Sequence, residues 1–230
     1  MLKDSRMHKL LVILILCPIQ LLSAQNERLF NVDNRLFPPR FLQKKRLGFT
    51  PVLKHANWQA GDTIVDIGAG NGWFSCALAM HHDSLTFYLE EIDSAANNLE
   101  RRTLAIRHYS KLKGSSLTSQ FIPILGTDAQ IPLPDQSVHA ILLIDTYHHF
   151  SKKTEMLQEM HRILKKEGKL FVVELIARKE GDIHPGCRSR LWQENTLVND
   201  FGSHLFDLSA NVTSGREYRR KKRLFIFTKH

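Results

Sequence analysis

Residues 63–80 read TIVDIGAGNGWFSCALAM. The first five, Thr63-Ile64-Val65-Asp66-Ile67, are a β-branched run of the length of a buried strand. Gly68, Gly70 and Gly72 follow at alternate positions, and an apolar stretch, residues 73–80, is long enough for two turns of helix. Strand, glycine loop and helix in that order open a nucleotide-binding α/β unit. The glycines allow positive φ and close approach of a ligand to the backbone. The helix N-terminus behind them offers free N–H groups to a carboxylate or phosphate.

The spacing separates this loop from the dinucleotide fingerprint. G-x-G-x-x-G/A would require a small residue where the chain has Trp73. The pattern present is D-x-G-x-G-x-G. Residues 65–72, VDIGAGNG, resemble motif I of the class I S-adenosylmethionine-dependent methyltransferases. The resemblance implies cofactor contacts at Asp66, Gly68, Ala69, Gly70 and Gly72.

Around this unit, strands and helices alternate. Strands are expected at residues 85–90, 120–125, 138–144 and 169–175, with helices at 94–109, from a Ser151 cap to about 164, and at 191–200. Lys165, Lys166 and Gly168 read as the basic, glycine-stopped end of the middle helix. The run VHAILLI (138–144) is almost wholly apolar, as befits a central parallel strand covered on both faces. Two short strands, near 205–209 and 224–228, close the chain as a hairpin. Thr50-Pro51 reads as the start of a short helix reaching about residue 57. The alternation predicts an α/β doubly wound sheet. The family resemblance, which covers about residues 52–176, implies a Rossmann-like sheet of seven strands, mostly parallel with the last antiparallel, and helices on both faces.

In such sheets ligands lie at the carboxyl ends of the strands. After the second strand comes Glu91, which aligns with the family's ribose-binding acid; a carboxylate can accept two hydrogen bonds from a vicinal diol. Glu90 is its rival, one residue earlier. After the third strand, Gly126-Thr127-Asp128-Ala129 is similar to the family's G-x-D-A segment, which implies that Asp128 accepts from the adenine amino group and that Ile92 and Ala129 flank the ring. After the fourth, residues 145–150 read DTYHHF. Family members carry an acid and aromatics here, so Asp145 is expected to face the cofactor, and Tyr147 and His148 are the candidate catalytic residues, with His149 beside them. His184 and Cys187 lie on a loop that could cover the cleft. Methyl transfer from a sulfonium needs mainly orientation, with a base only where the acceptor must lose a proton.

No metal site is expected. His81-His82 and His148-His149 are adjacent pairs, which diverge on a helix and oppose each other on a strand, and neither H-x₃-H nor C-x₂-C occurs.

The first 24 residues read as a secretory signal: Lys3, Arg6 and Lys9 precede an apolar run, and Leu22-Ser23-Ala24 is a cleavage site. Residues 25–50 form a polar lead-in with Phe30, Phe37 and Phe41, and residues 51–230 the methyltransferase domain. The expected location is periplasmic or secreted, or membrane-associated if the signal stays as an anchor. D-x-Y-H-H-F together with the export signal is similar to a group of small exported bacterial proteins regarded as methyltransferases. Without residues 1–24 the net charge falls from +9 to +7, and the segment from Arg216 to Arg223 (REYRRKKR) alone carries +5. That is one local basic patch, read either as a solvated hairpin loop or as a weak contact for an anionic surface; no specific nucleic-acid partner is expected. Asn211-Val212-Thr213 is a glycosylation sequon. The reading is S-adenosylmethionine-dependent methyl transfer to a small-molecule or lipid-like acceptor. The alternative is an exported binding or scaffold protein that keeps the fold, motivated by the cytoplasmic origin of the methyl donor.

Overall fold

The computed structural model describes residues 46–96 and 98–230. The signal expected at residues 1–24 and most of the lead-in lie outside the described residues. Among them the elements run α1 (Arg46–His55), β1 (Thr63–Ile67), α2 (Trp73–Leu78), β2 (Thr86–Glu91), α3 (Leu99–Lys113), β3 (Gln120–Leu125), β4 (Val138–Ile144), a 3₁₀ turn (Tyr147–His149), α4 (Lys153–Ile163), β5 (Leu164–Leu175), α5 (Glu194–Gly202), β6 (Phe206–Glu217) and β7 (Arg220–Lys229).

The seven strands form one sheet in the order β3-β2-β1-β4-β5-β7-β6. The first five are parallel, and β7 runs antiparallel to both β5 and β6. Order reverses between β1 and β4, which pair directly, with Val65 opposite Ile141 and Ile67 opposite Leu143. A crevice opens outside the carboxyl ends of the strands at such a switch point. Six of the seven residues of β4 are fully buried, so both faces of the sheet are covered.

Several boundaries differ from the sequence reading, each for a local reason. Helix α1 starts before Thr50 and carries Pro51 inside it. Gly48 lets this helix close on the sheet, since a Cβ there would lie 2.7 Å from Val173 Cγ1. The closure buries Phe49 and Val52, and Phe49 meets Phe74 of α2 edge to face. Helix α3 begins five residues later than expected because Asp93 first takes the Ala95 N–H in a turn, and Asn98 then caps the helix by accepting from Arg101 N. Ser151 does not cap α4; its hydroxyl donates to Asp128, and Lys152 holds the cap position. Lys165 to Gly168 do not end a helix. Pairing with β4 jumps from Val138–Leu164 to Ala140–Lys169, so these four residues bulge out of the ladder, and regular pairing begins at Lys169.

The terminal hairpin is longer than expected. Its tip is Tyr218-Arg219, both at positive φ, as a tight two-residue hairpin turn requires. The basic segment is therefore strand, with Arg216 opposite Lys221 and Glu217 opposite Arg220. Asn211 of the sequon sits in β6 with its side-chain amide between Glu194 and Arg223.

Helix α5 closes the hairpin end of the core through Phe201, which stacks on Phe227 at 4.5 Å and lies 5.0 Å from Tyr147. Phe201→Ala should cost about 3–5 kcal/mol, measured by urea unfolding at neutral pH. A loss below about 1 kcal/mol would mean that α5 is not part of the cooperative core.

Candidate active site

The loop after β1 is the pivot of the site. Gly68, Gly70 and Gly72 all have positive φ. A Cβ on Gly68 would sit 2.6 Å from Thr146 Cγ2, so the ends of β1 and β4 meet only because this residue has no side chain. At Gly70 a Cβ would meet nothing within 4 Å among the described residues, which leaves this backbone open to a ligand.

A cavity of about 490 Å³ lies over these strand ends. Gly68 follows the end of β1, Glu90 and Glu91 end β2 with Ile92 just beyond, Thr127 and Asp128 come from the loop after β3, and Asp145, Thr146, His149 and Phe150 from the segment after β4. Glu91 joins two of these pieces: Glu91 Oε1 accepts from Gly70 N–H at 2.8 Å. Ile92 is largely exposed on the wall. Asp128 sits on the rim with Lys152 at 3.1 Å, and Thr127 Oγ1 turns the loop by accepting from Ala129 N–H. Asp66 lies beneath the loop, buried, and accepts from Ser75 Oγ at 2.7 Å, which ties β1 to α2.

Glu90 has a different character from its neighbour. It is 2 % exposed, and its Oε1 finds no hydrogen-bond partner among the described residues. That oxygen occupies the space a side chain on residue 126 would need, 1.9 Å from a Cβ there, which is why glycine stands at that position. Burial, with smaller contributions from the charges of Glu91 and Asp66, pushes the Glu90 carboxyl up to about 7. Of the two rivals, Glu90 meets the glycine loop through its backbone carbonyl, which accepts from Gly68 and Ala69, and Glu91 through its carboxylate on Gly70.

The segment after β4 divides its side chains. Asp145, at φ 55°, turns toward the cavity and meets Lys222 Nζ at 2.6 Å. Lys222 is fully buried in β7 and also meets Glu217 at 3.1 Å. Burial alone would lower the Lys222 ammonium, but the two carboxylates outweigh it and raise its affinity for the proton. Tyr147 points away from the cavity, among Phe150, Trp192 and Phe201, and its hydroxyl donates to Asp200 of α5. Burial, reinforced by Asp200, raises the phenol well above its ordinary range, which rules it out as a base near neutrality. His148 is buried and pairs through Nδ1 with Glu174 Oε2 at 2.8 Å. Burial lowers the imidazole, yet the bond and charge of Glu174 overcome this and carry it up to about 9. Among the three, His149 lines the cavity.

The loop between β5 and α5 brings Cys187 to the two histidines. One ligating atom each from His148, His149 and Cys187 all lie within 4.8 Å of one another. A second cavity, about 580 Å³, lies farther along the carboxyl edge, lined by Arg178, Arg216, Arg219, Arg220 and Lys221, with Glu194 as its acid. The sequence reading missed Lys222, Glu174 and Thr146. Lys222 shares a face with Leu224 and Ile226, an alternation hidden by the run of bases around it.

Two outcomes follow. A carboxyl whose proton affinity is raised by folding stabilises the native state fully below its unfolded pKa of 4.5, and this contribution is lost as pH rises through about 7. Relative to Glu90→Gln, the natural chain should lose up to about 3 kcal/mol of unfolding free energy between those limits; parallel pH profiles would refute it. Lys222→Met strands two carboxylates and should cost about 3–5 kcal/mol, read from the urea midpoint. An unchanged midpoint would mean that the pair carries no weight.

Residues 65–172 match the family model described as a methyltransferase domain. A sterol 24-C-methyltransferase of Pneumocystis carinii is 28% identical over 117 residues, 51% of this chain and 29% of that protein. An uncharacterized methyltransferase of Bacillus subtilis, YcgJ, is 27% identical over 142 residues, 61% of this chain and 50% of that one. The chain thus spans half or less of the length of these curated relatives. A crystal structure of a SAM-dependent methyltransferase from Aquifex aeolicus superposes with a TM-score of 0.62 at 18% identity, covering 89% of this chain and 97% of that one. With the parallel sheet, the reversed β7 and the glycine loop already established, the conclusion is that residues 65–172 are similar to a methyltransferase domain and that the chain has the fold of the S-adenosylmethionine-dependent methyltransferases.

Proposed function

We propose that the protein transfers the methyl group of S-adenosylmethionine to a small-molecule or lipid-like acceptor by in-line displacement. The observation that carries this reading is the carboxylate of Glu91, held on the Gly70 N–H at the mouth of a cavity walled by Gly68, Ile92 and Asp128. In this reading Glu91 takes the ribose hydroxyls, Asp128 the adenine amino group, and the open backbone at Gly70 the amino-acid end of the cofactor. Orientation alone supplies a large share of the catalysis, since effective molarities of about 10⁵ M are worth roughly 7 kcal/mol. Where the acceptor carries a proton, His149 is the titratable group on the cavity wall; burial, ahead of the charge of His148, lowers its imidazole and so favours the neutral form a base needs.

A lipid-like acceptor is supported by the similarity to a sterol methyltransferase. The basic cavity beside Arg178 and Arg219 supports an anionic group on the acceptor or on a surface that presents it. Export through residues 1–24 remains part of the proposal; no described helix is long and apolar enough to cross a membrane.

Calorimetric titration of residues 25–230 with S-adenosylmethionine and S-adenosylhomocysteine tests it. Micromolar binding, about −8 kcal/mol, is expected. Glu91→Ala should weaken it at least tenfold, and Gly70→Arg, which projects into the open space over the loop, should abolish it. Undiminished affinity in both variants would sink the assignment.

A further inference from the structure

We propose that His148, His149 and Cys187 form a binding site for one borderline divalent transition-metal ion, of which zinc(II) is the type, with Glu174 as the carboxylate that orients His148. Adjacent histidines chelate poorly on a helix or a strand, but these two lie on a 3₁₀ turn, and their rings run side by side with centroids 4.2 Å apart. Glu174 occupies His148 Nδ1 at 2.8 Å from a buried position, leaving Nε2 as the ligating atom. Carboxylate, histidine and metal in that order is the usual outer-shell arrangement at zinc.

The thiolate side is built as well. Cys187 stands on a tight loop closed by the Ile183–Arg190 bridge and by His184 N–H to Ser189 O at 2.8 Å. His184 Nδ1 accepts from the Gly186 and Cys187 N–H groups, which holds Cys187 against the histidines, and the His184 ring stacks on His148. Tetrahedral zinc with two nitrogens and one sulfur needs ligand atoms about 3.5 Å apart. The spread of at most 4.8 Å closes with about 1 Å of side-chain movement. Two imidazoles and a thiolate suit zinc rather than magnesium or calcium, which prefer oxygen. Binding releases the Cys187 thiol proton and the Nε2 proton of the His148 imidazolium to solvent, since a thiolate and a neutral imidazole nitrogen are the ligands. Three protein ligands leave the fourth position to water or to an acceptor's heteroatom, and His149 sets the ion at the edge of the cofactor cavity, where its metal-bound imidazole is a ligand in place of the base role it has in the metal-free chain. The site stands on these contacts alone and does not depend on methyl transfer.

The test uses the full chain, freed of metal with a chelator and titrated with cobalt(II), then zinc(II). One equivalent of cobalt should give a thiolate-to-metal charge-transfer band and the strong visible bands of a four-coordinate ion, displaced by zinc. Cys187→Ser should lose the charge-transfer band. His149→Ala should bind zinc at least tenfold more weakly, and Glu174→Gln about 10–100-fold more weakly. Cys187 and His149 are exposed, so these two variants keep the fold, as circular dichroism would check. A natural chain without the charge-transfer band, a band that survives in Cys187→Ser, or equal zinc affinity in the natural chain and in Cys187→Ser and His149→Ala would each overturn the proposal.

Discussion

The backbone of Gly68 passes so close to Thr146 that no side chain fits between them. This contact holds the end of β1 against the end of β4, at the point where the order of the strands reverses. The rest of the site depends on it. With the two strand ends locked, the glycine loop turns along the end of β2: Gly68 and Ala69 donate to the Glu90 carbonyl, and the Glu91 carboxylate takes the Gly70 N–H from the neighbouring strand. Asp66 reinforces the turn from below through Ser75. A cavity forms because the parallel strands end on one edge and the segments that follow them splay apart, as doubly wound sheets require.

Charge is handled unevenly around this crevice. Glu91 and Asp128 are accessible and bonded, the natural state for carboxylates that meet a polar ligand. Glu90, one residue from Glu91, is buried and holds its proton to about pH 7. Two adjacent carboxyl groups thus serve opposite ends, one presented to the cavity and one set into the floor beside Gly126. On the far side, Lys222 lies between Asp145 and Glu217 with no exposure to water. Ion pairs around a buried lysine fix geometry more than they add stability. Here the pair pins the tip of the terminal hairpin to the segment after β4.

Much of the fold was legible in the sequence because the strands are bounded by residues with one physical role each. β1, β3 and β4 begin and end as expected, since their apolar or β-branched runs stop at Gly68, Gly126 and Asp145. The helix starts were less legible. Asp93, Asn98 and Ser151 all have cap-forming side chains, and which one caps depends on what else competes for it: Asp128 captures Ser151, and Asn98 takes the α3 N-terminus. At the site, strand-end positions led to Glu91, Ile92, Asp128 and Asp145, because in a parallel sheet the position after a strand is itself structural information. Tyr147 and His148 had the right place in the chain, but a 3₁₀ turn points them into the core and leaves His149 on the wall. Lys222 and Cys187 were illegible for opposite reasons. The first is masked by surrounding bases, and the second reaches the histidines only through a loop closed by backbone hydrogen bonds.

The central claim is that the crevice between β1 and β4 holds the cofactor by its nucleoside, with Glu91 as the anchor. A crystal structure with S-adenosylhomocysteine tests this most directly. The account predicts density with both ribose hydroxyls on the Glu91 carboxylate, the adenine beside Ile92 and Asp128, and the sulfur facing Asp145. Density that leaves Glu91 on Gly70 alone and places the ligand in the arginine-lined cavity near Arg178 would contradict it.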